Sequence, residues 1–268
     1  MSNFLAPLGK LGRLSHKFFI LIYHFFDFVS QSIYYTFVSS LIGKKRPSLR
    51  ETAKQMVIVG VDSSPIVFTI SLFIGMILAM QTAYQLKKYG ILDLVGDLVS
   101  VSVTRELGPL ITAVIIAGRI GASYSAQIGT MKVSEEIDAL KSMALNPIRF
   151  LVSPRLIAMI VMLPCLTILA NVMGILGGFV ISYFNLGLPA SQYITHVINA
   201  LVMKDIITGL IKSIFFAMII VWIGCFQGFT VENGAEGVGK NTTNSVVASI
   251  FMIIAADSFF TALFYFAF

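Results

Sequence analysis

Five apolar runs, at roughly residues 65–86, 97–118, 156–183, 206–229 and 245–266, constrain this chain more than any other feature. Each has about the 20 residues that carry a helix across a hydrocarbon core roughly 30 Å thick. No water is available in such a core to satisfy backbone N–H and C=O groups, so only helices or a closed β-barrel can cross it. Barrel strands would alternate apolar and polar residues, and these runs do not. The reading is an all-α, polytopic membrane protein with five transmembrane helices. Composition agrees, since only 12% of the residues are charged, about half the share of a soluble domain. No interval between the runs has room for a separate soluble domain. We therefore divide the chain into a basic, amphipathic N-terminal region, 1–54, and one membrane domain, 55–268.

The net charge of +6 reflects basic residues gathered at the ends of apolar runs, the pattern of topology determinants rather than of nucleic-acid binding. Lys10, Arg13, Lys17, Lys44, Lys45, Arg46, Arg50 and Lys54 precede the first run. Arg119, Lys132, Lys141, Arg149 and Arg155 lie between the second and third, whereas the 184–205 interval holds only Lys204. This alternation predicts a cytoplasmic N-terminus, a cytoplasmic 119–155 loop and, after five spans, a C-terminus outside. The segment 18–41 is long enough to span, but basic clusters flank it on both sides. His24, Asp27 and Gln31 give it one polar face. It reads as a helix lying in the membrane interface.

Four ionisable residues fall within or beside apolar runs: Arg105, Glu106, Lys212 and Asp257. A charge at the bilayer centre costs about 2.5–3.5 kcal/mol on insertion scales, so such groups face a cavity, a bundle interior or each other. One reading makes them a polar zone in a transport cavity that contacts a charged headgroup. The other makes them internal ion pairs. Gly108 and Pro109 follow directly, and proline within a helix removes a backbone hydrogen bond, so this pair is a hinge candidate. Gly174-x-x-x-Gly178 and Gly224-x-x-x-Gly228 predict close helix approach. Both cysteines, Cys165 and Cys225, lie in apolar runs and read as packing residues.

Between the second and third runs stands a structured polar stretch, 118–140, of the kind a membrane protein keeps where a cytoplasmic partner docks. From its end onward Val133–Leu145 predicts a short amphipathic helix, with Val133, Ile137, Leu140 and Ala144 on one face and Asn146-Pro147 ending it. Gly234–Lys240 imitates part of a phosphate-binding loop, but Asn241 stands where a Ser or Thr is required and no strand–loop–helix surrounds it. It reads as a flexible loop between the last two spans. No catalytic grouping, metal site or cofactor motif emerges from the sequence.

The pieces Arg105-Glu-Leu-Gly-Pro109, Ala117-Gly-Arg119, Ile128-Gly-Thr-Met-Lys132, Glu136-Ile-Asp-Ala-Leu140, Asn146-Pro147 and Ser153-Pro-Arg155 resemble the signature region of MlaE-family (YrbE-like) permeases. Leu210-Ile-Lys-Ser213 and Ala256-Asp-Ser-Phe259 fit the later spans of that family. The resemblance implies the permease subunit of an ABC transporter, without enzymatic activity of its own. Such a subunit moves phospholipid between the inner and outer membranes of a bacterium and contributes to outer-membrane lipid asymmetry. It implies residence in the inner membrane and three protein partners: a cytoplasmic ATPase, an MCE-domain lipid-binding protein and a second copy of the chain. It places Arg105, Glu106, Lys212 and Asp257 near the lipid cavity, and assigns ATPase coupling to Lys132, Glu135, Glu136, Asp138 and Leu140.

Overall fold

The computed structural model describes residues 19–38 and 48–267, which are helical almost throughout and contain no strand. An N-terminal helix α1 covers 19–38, its last turn, Tyr34–Val38, being π-helical. Residues 18 and 39–41 of the expected interfacial segment lie outside the described residues. Then follow α2 (Leu49–Lys87), α3 (Leu92–Val133), the short α4 (Glu136–Ser142), α5 (Ile148–Phe184), α6 (Ala190–Ala200), α7 (Met203–Phe229) and α8 (Gly234–Phe266). Of the described helices α2, α3, α5, α7 and α8, five in all, are long and apolar enough to cross a membrane.

Three of the helices extend well beyond the apolar runs that announce them. α3 has 42 residues, about 63 Å at 1.5 Å per residue, twice what a bilayer core needs. The polar stretch 118–133 is therefore a helical continuation of α3, not the loop the charge pattern suggested. Polarity alone does not end a helix. No proline interrupts this stretch, and Tyr124, Ile128 and Gly129 are buried in it, against α7 and α8. Likewise 234–240 is the beginning of α8 rather than a flexible loop. Glu236 sits in its first turn, where the helix dipole favours an acid, and the Asn241 amide donates to the Gln227 carbonyl at 2.9 Å. α2 begins at Leu49 behind Ser48, whose hydroxyl accepts from the Glu51 N–H, and runs unbroken past residue 54 through a π turn at Val57–Val61.

Small side chains set the closest packing. Ser71, Gly75, Ala79 and Ala83 are buried at successive four-residue steps along α2, and Gly174 and Gly177 of α5 lie against this helix at Ser71–Met76. A Cβ on Gly75 would collide with the Gly174 backbone, and one on Gly177 with the Leu72 carbonyl. Between apolar helices in lipid, dispersion contact and hydrogen bonds take over from the hydrophobic effect, and bare backbones maximise the former. Of the expected small-residue pairs, Gly174 faces Gly75 and Gly224 faces Gly121 backbone to backbone, whereas Gly178 makes room for the Tyr193 hydroxyl and Val99, and Gly228 for Ile128.

Both ends of the bundle carry lateral helices. At the end bearing α4, α1 packs Phe25 and Phe28 against Phe226, and Phe28 also against Phe229, while Phe19, Tyr23 and Phe26 remain exposed. At the opposite end α6 is held by Tyr193, whose hydroxyl donates to the Ile175 carbonyl at 3.1 Å, and by His196, 3.0 Å from Asp97 of α3.

Candidate functional site: an intramembrane charge cluster and a protruding short helix

Glu106 is carried by α3, Lys212 by α7 and Asp257 by α8, and the fold brings all three together. The Lys212 ammonium donates to Glu106 Oε2 at 2.5 Å, to Asp257 Oδ1 at 2.9 Å and to Thr261 Oγ1 at 2.8 Å. Its three protons are thus all engaged. The Thr261 hydroxyl, one turn beyond Asp257 on α8, also lies 3.1–3.2 Å from both Glu106 oxygens. Sequence reasoning did not name Thr261, though its i+4 spacing from Asp257 marks it. Only 2% of the Lys212 side chain is exposed, against 35% of Glu106 and 15% of Asp257. The cluster therefore has a closed cationic heart and an open acidic edge. With both carboxylates ionised it carries one net negative charge.

Arg105 is not part of this cluster. It turns toward Asp205 at the start of α7, with Nε 3.6 Å from Oδ1, and is 43% exposed. Asp205 precedes Lys212 by seven residues, two helical turns, so the two ion pairs lie about 10 Å apart along α7. Both tie α3 to α7. The notion of internal pairing and that of a polar zone therefore meet at one place: the charges are paired, yet Glu106 and Arg105 keep exposed edges.

Gly108 and Pro109 are buried directly after a π-helical turn, Val103–Leu107. A second π turn, Ala117–Gly121, follows on the same helix, and there Arg119 Nη1 donates to Ser63 Oγ, beside the π turn of α2. These wide turns mark places where α3 departs from regular geometry.

α4 is shorter than the amphipathic helix read from the sequence. A left-handed residue at Glu135 (φ 61°) separates it from α3, and another at Ala144 (φ 58°) ends it. Ile137 and Leu140 are buried, so they anchor α4 to the protein itself. Glu135, Glu136 and Asp138 are exposed. Glu136 accepts from the Ser134 hydroxyl, and Asp138 pairs with Lys141 at 2.8 Å. The Lys141 ammonium holds the Asp138 carboxyl below the usual carboxylate range. Lys132 does not face outward with them: its ammonium donates to the Phe229 carbonyl at 2.6 Å, at the C-terminus of α7, where a cation complements the helix dipole. Asn146 Oδ1 accepts from the N–H groups of Ile148 and Arg149 and so starts α5. Arg155, which the sequence shows as a basic residue and as the end of the Ser153-Pro-Arg155 piece, is buried. It bonds Gln127 at 2.9 Å and the Leu151 carbonyl at 3.0 Å, and stacks on Tyr124, locking α5 to the polar half of α3.

The profile of the permease MlaE family matches residues 52–263. The chain belongs to the MlaE permease family. It is 34% identical to the intermembrane phospholipid transport system permease protein MlaE of Haemophilus influenzae, over 97% of each chain. A probable ABC transporter permease protein of Rickettsia prowazekii is 36% identical over 91% of each. One from Synechocystis is 41% identical over 80% of this chain and 81% of its own. As an MlaE permease, the chain is a multi-pass membrane subunit of an ABC transporter, whose ATP hydrolysis resides in a separate subunit.

Proposed function

We propose that this permease moves phospholipid between the inner and outer membranes of a bacterium, driven by a cytoplasmic ATPase, and contributes to outer-membrane lipid asymmetry. The observation that carries the reading is the full-length similarity to a permease named for intermembrane phospholipid transport. In this reading the chain sits in the inner membrane with its N-terminus and α4 in the cytoplasm and its C-terminus in the periplasm. Two copies enclose an apolar cavity lined by α2, α3 and α8, and an MCE-domain protein exchanges lipid with it. Acyl chains fill the apolar part, and the exposed edges of Glu106 and Arg105 meet the headgroup. Acyl burial is worth about 0.8 kcal/mol per methylene against water but far less against a bilayer, which lets the transporter release its cargo. The exposed acids of α4 meet the ATPase, while Ile137, Leu140 and Lys132 carry its motion into α3 and α7. Gly108 and Pro109 let α3 bend in response.

The test is expression with the neighbouring genes and native mass spectrometry of the gently solubilised complex. The expected result is two copies of this chain, an ATPase pair and bound phospholipid. A folded chain with ATPase but with another apolar cargo would overturn the phospholipid assignment. A chain with neither would overturn transport altogether. In reconstituted vesicles, Glu106→Arg and Asp257→Arg should each abolish lipid movement in complexes that still assemble. Normal transport by both would remove the charge cluster from the mechanism.

A further inference from the structure

The most irregular stretch of α3 is held by a residue from another helix. Pro109 has no N–H to offer the carbonyls one turn before it, and the π turn ahead of it closes with the Gly108 N–H on the Val103 carbonyl. Two neighbours press on this turn where side chains are missing. The Thr104 carbonyl rests on the bare Cα of Gly209 of α7. Asn171 Oδ1, from α5, fills the space a Cβ on Gly108 would need, and the Val103 carbonyl borders the same space. Asn171 is only 9% exposed, and its Oδ1 has no hydrogen-bond partner. A void of about 10 Å³ lies beside Gly108, lined also by Ser71, Val103, Ala170 and Gly174, room for one water at most.

A buried carboxamide in lipid is expensive unless it is bonded, and packing alone would be served by leucine. The amide is also a two-way group: a half-turn about its last torsion exchanges the oxygen for the NH2. Since Asn171 Oδ1 and the Val103 carbonyl border the same space, that rotation would bring a donor beside this carbonyl, which has a second lone pair to offer. We propose that Asn171 is the positioning residue of the α3 hinge. Its carboxamide pins the Val103–Pro109 turn in the wide register by donating to the Val103 carbonyl, and lets go when the ATPase drives α3. Arg105 and Glu106 lie inside this turn. Once released, the turn passes back and forth between wide and α-helical register, opening its amides on each passage; the α-helical form rotates one side against the other by about 100° and shifts it by about 1.5 Å, which takes Glu106 off Lys212. The pin thus decides whether the charge cluster is assembled.

The test follows amide hydrogen exchange over residues 103–112 in the complex with its ATPase, in lipid nanodiscs, without nucleotide and with a non-hydrolysable ATP analogue. This readout needs no knowledge of the cargo, so it is separable from the phospholipid assignment. In the natural protein the stretch should be protected without nucleotide and exchange at least tenfold faster with it. Asn171→Leu should exchange fast in both states, and Asn171→Asp, whose protonated carboxyl also donates and accepts, should restore the difference. The proposal is overturned if Asn171→Leu keeps the nucleotide-dependent difference, or if the natural protein lacks one. It is equally overturned if both variants fail to assemble, which would make Asn171 a packing residue.

Discussion

Lys212 and Arg105 are both cations beside acids in the membrane half of the chain, yet their surroundings give them different weight. Lys212 is sealed and spends three hydrogen bonds on two other helices. Its removal strands two carboxylates in a low-dielectric interior, where losing one partner of a buried pair costs about 3–5 kcal/mol. Lys212→Met should therefore lower the thermal unfolding midpoint of the purified protein sharply, and adding Glu106→Gln and Asp257→Asn should recover most of the loss. Arg105→Met breaks a half-exposed pair worth about 0–1 kcal/mol, so its midpoint should scarcely move. Equal losses in the two single variants would contradict this ranking. The sequence made all four charges visible, because an ionisable residue in an apolar run is conspicuous. Their partnership was not visible: Glu106 and Lys212 are 106 positions apart, and only the crossing of α3 with α7 tells that Arg105 turns to Asp205 and Glu106 to Lys212.

At the scale of elements, hydropathy located all five spanning helices and misjudged their ends. Hydropathy reports where lipid begins, whereas helix ends are fixed by caps and left-handed residues. Ser48, Glu135 and Asn146 do that work here, and α3 passes through a polar region without noticing it. The α2–α5 contact was hidden for another reason. Its signal is the run Ser71, Gly75, Ala79, Ala83, which is four residues apart and lies in a helix whose hydrophobicity is otherwise uniform. Gly75→Val should prevent α2 from closing on α5, because the obstacle is the Gly174 backbone, which cannot step aside. We expect loss of folded protein in fluorescence-detected size exclusion. Gly118→Ala is the control: nothing stands within 4 Å of its added methyl, and replacing a helical glycine should stabilise by about 0.5–1 kcal/mol. A Gly75→Val protein as well folded as Gly118→Ala would show that the small-residue seam is dispensable. On α4, Ile137→Asp should uncouple the short helix from its buried seat, leaving ATPase binding weakened and stimulation of hydrolysis lost.

Over the whole molecule, the spans are covered unevenly by the chain itself. The most apolar stretches of α2, α3, α5 and α7 are 28–50% buried within the chain, whereas that of α8 is 11% buried. Ser245, Ser249 and Ile253 face inward, and Phe251, Ala255, Ser258 and Ala262 face out. An exposed apolar helix is ordinary in lipid, but α8 also delivers Asp257 and Thr261 to the charge cluster, whose open side would otherwise meet acyl chains. In the proposed dimer, a second copy packed against α8 would shelter that side and turn two half-open clusters toward one cavity. In a protein cleared of Cys165 and Cys225, single cysteines along 245–263 should then cross-link between copies with a helical period, strongly on the side of Phe251, Ala255, Ser258 and Ala262. They should fail at Ser245, Ser249 and Ile253, which the chain's own core already occupies. Cross-linking without that period would mean random collision in the membrane. A clean period displaced onto α2 would move the dimer seam, and with it the cavity, to the other side of the charge cluster.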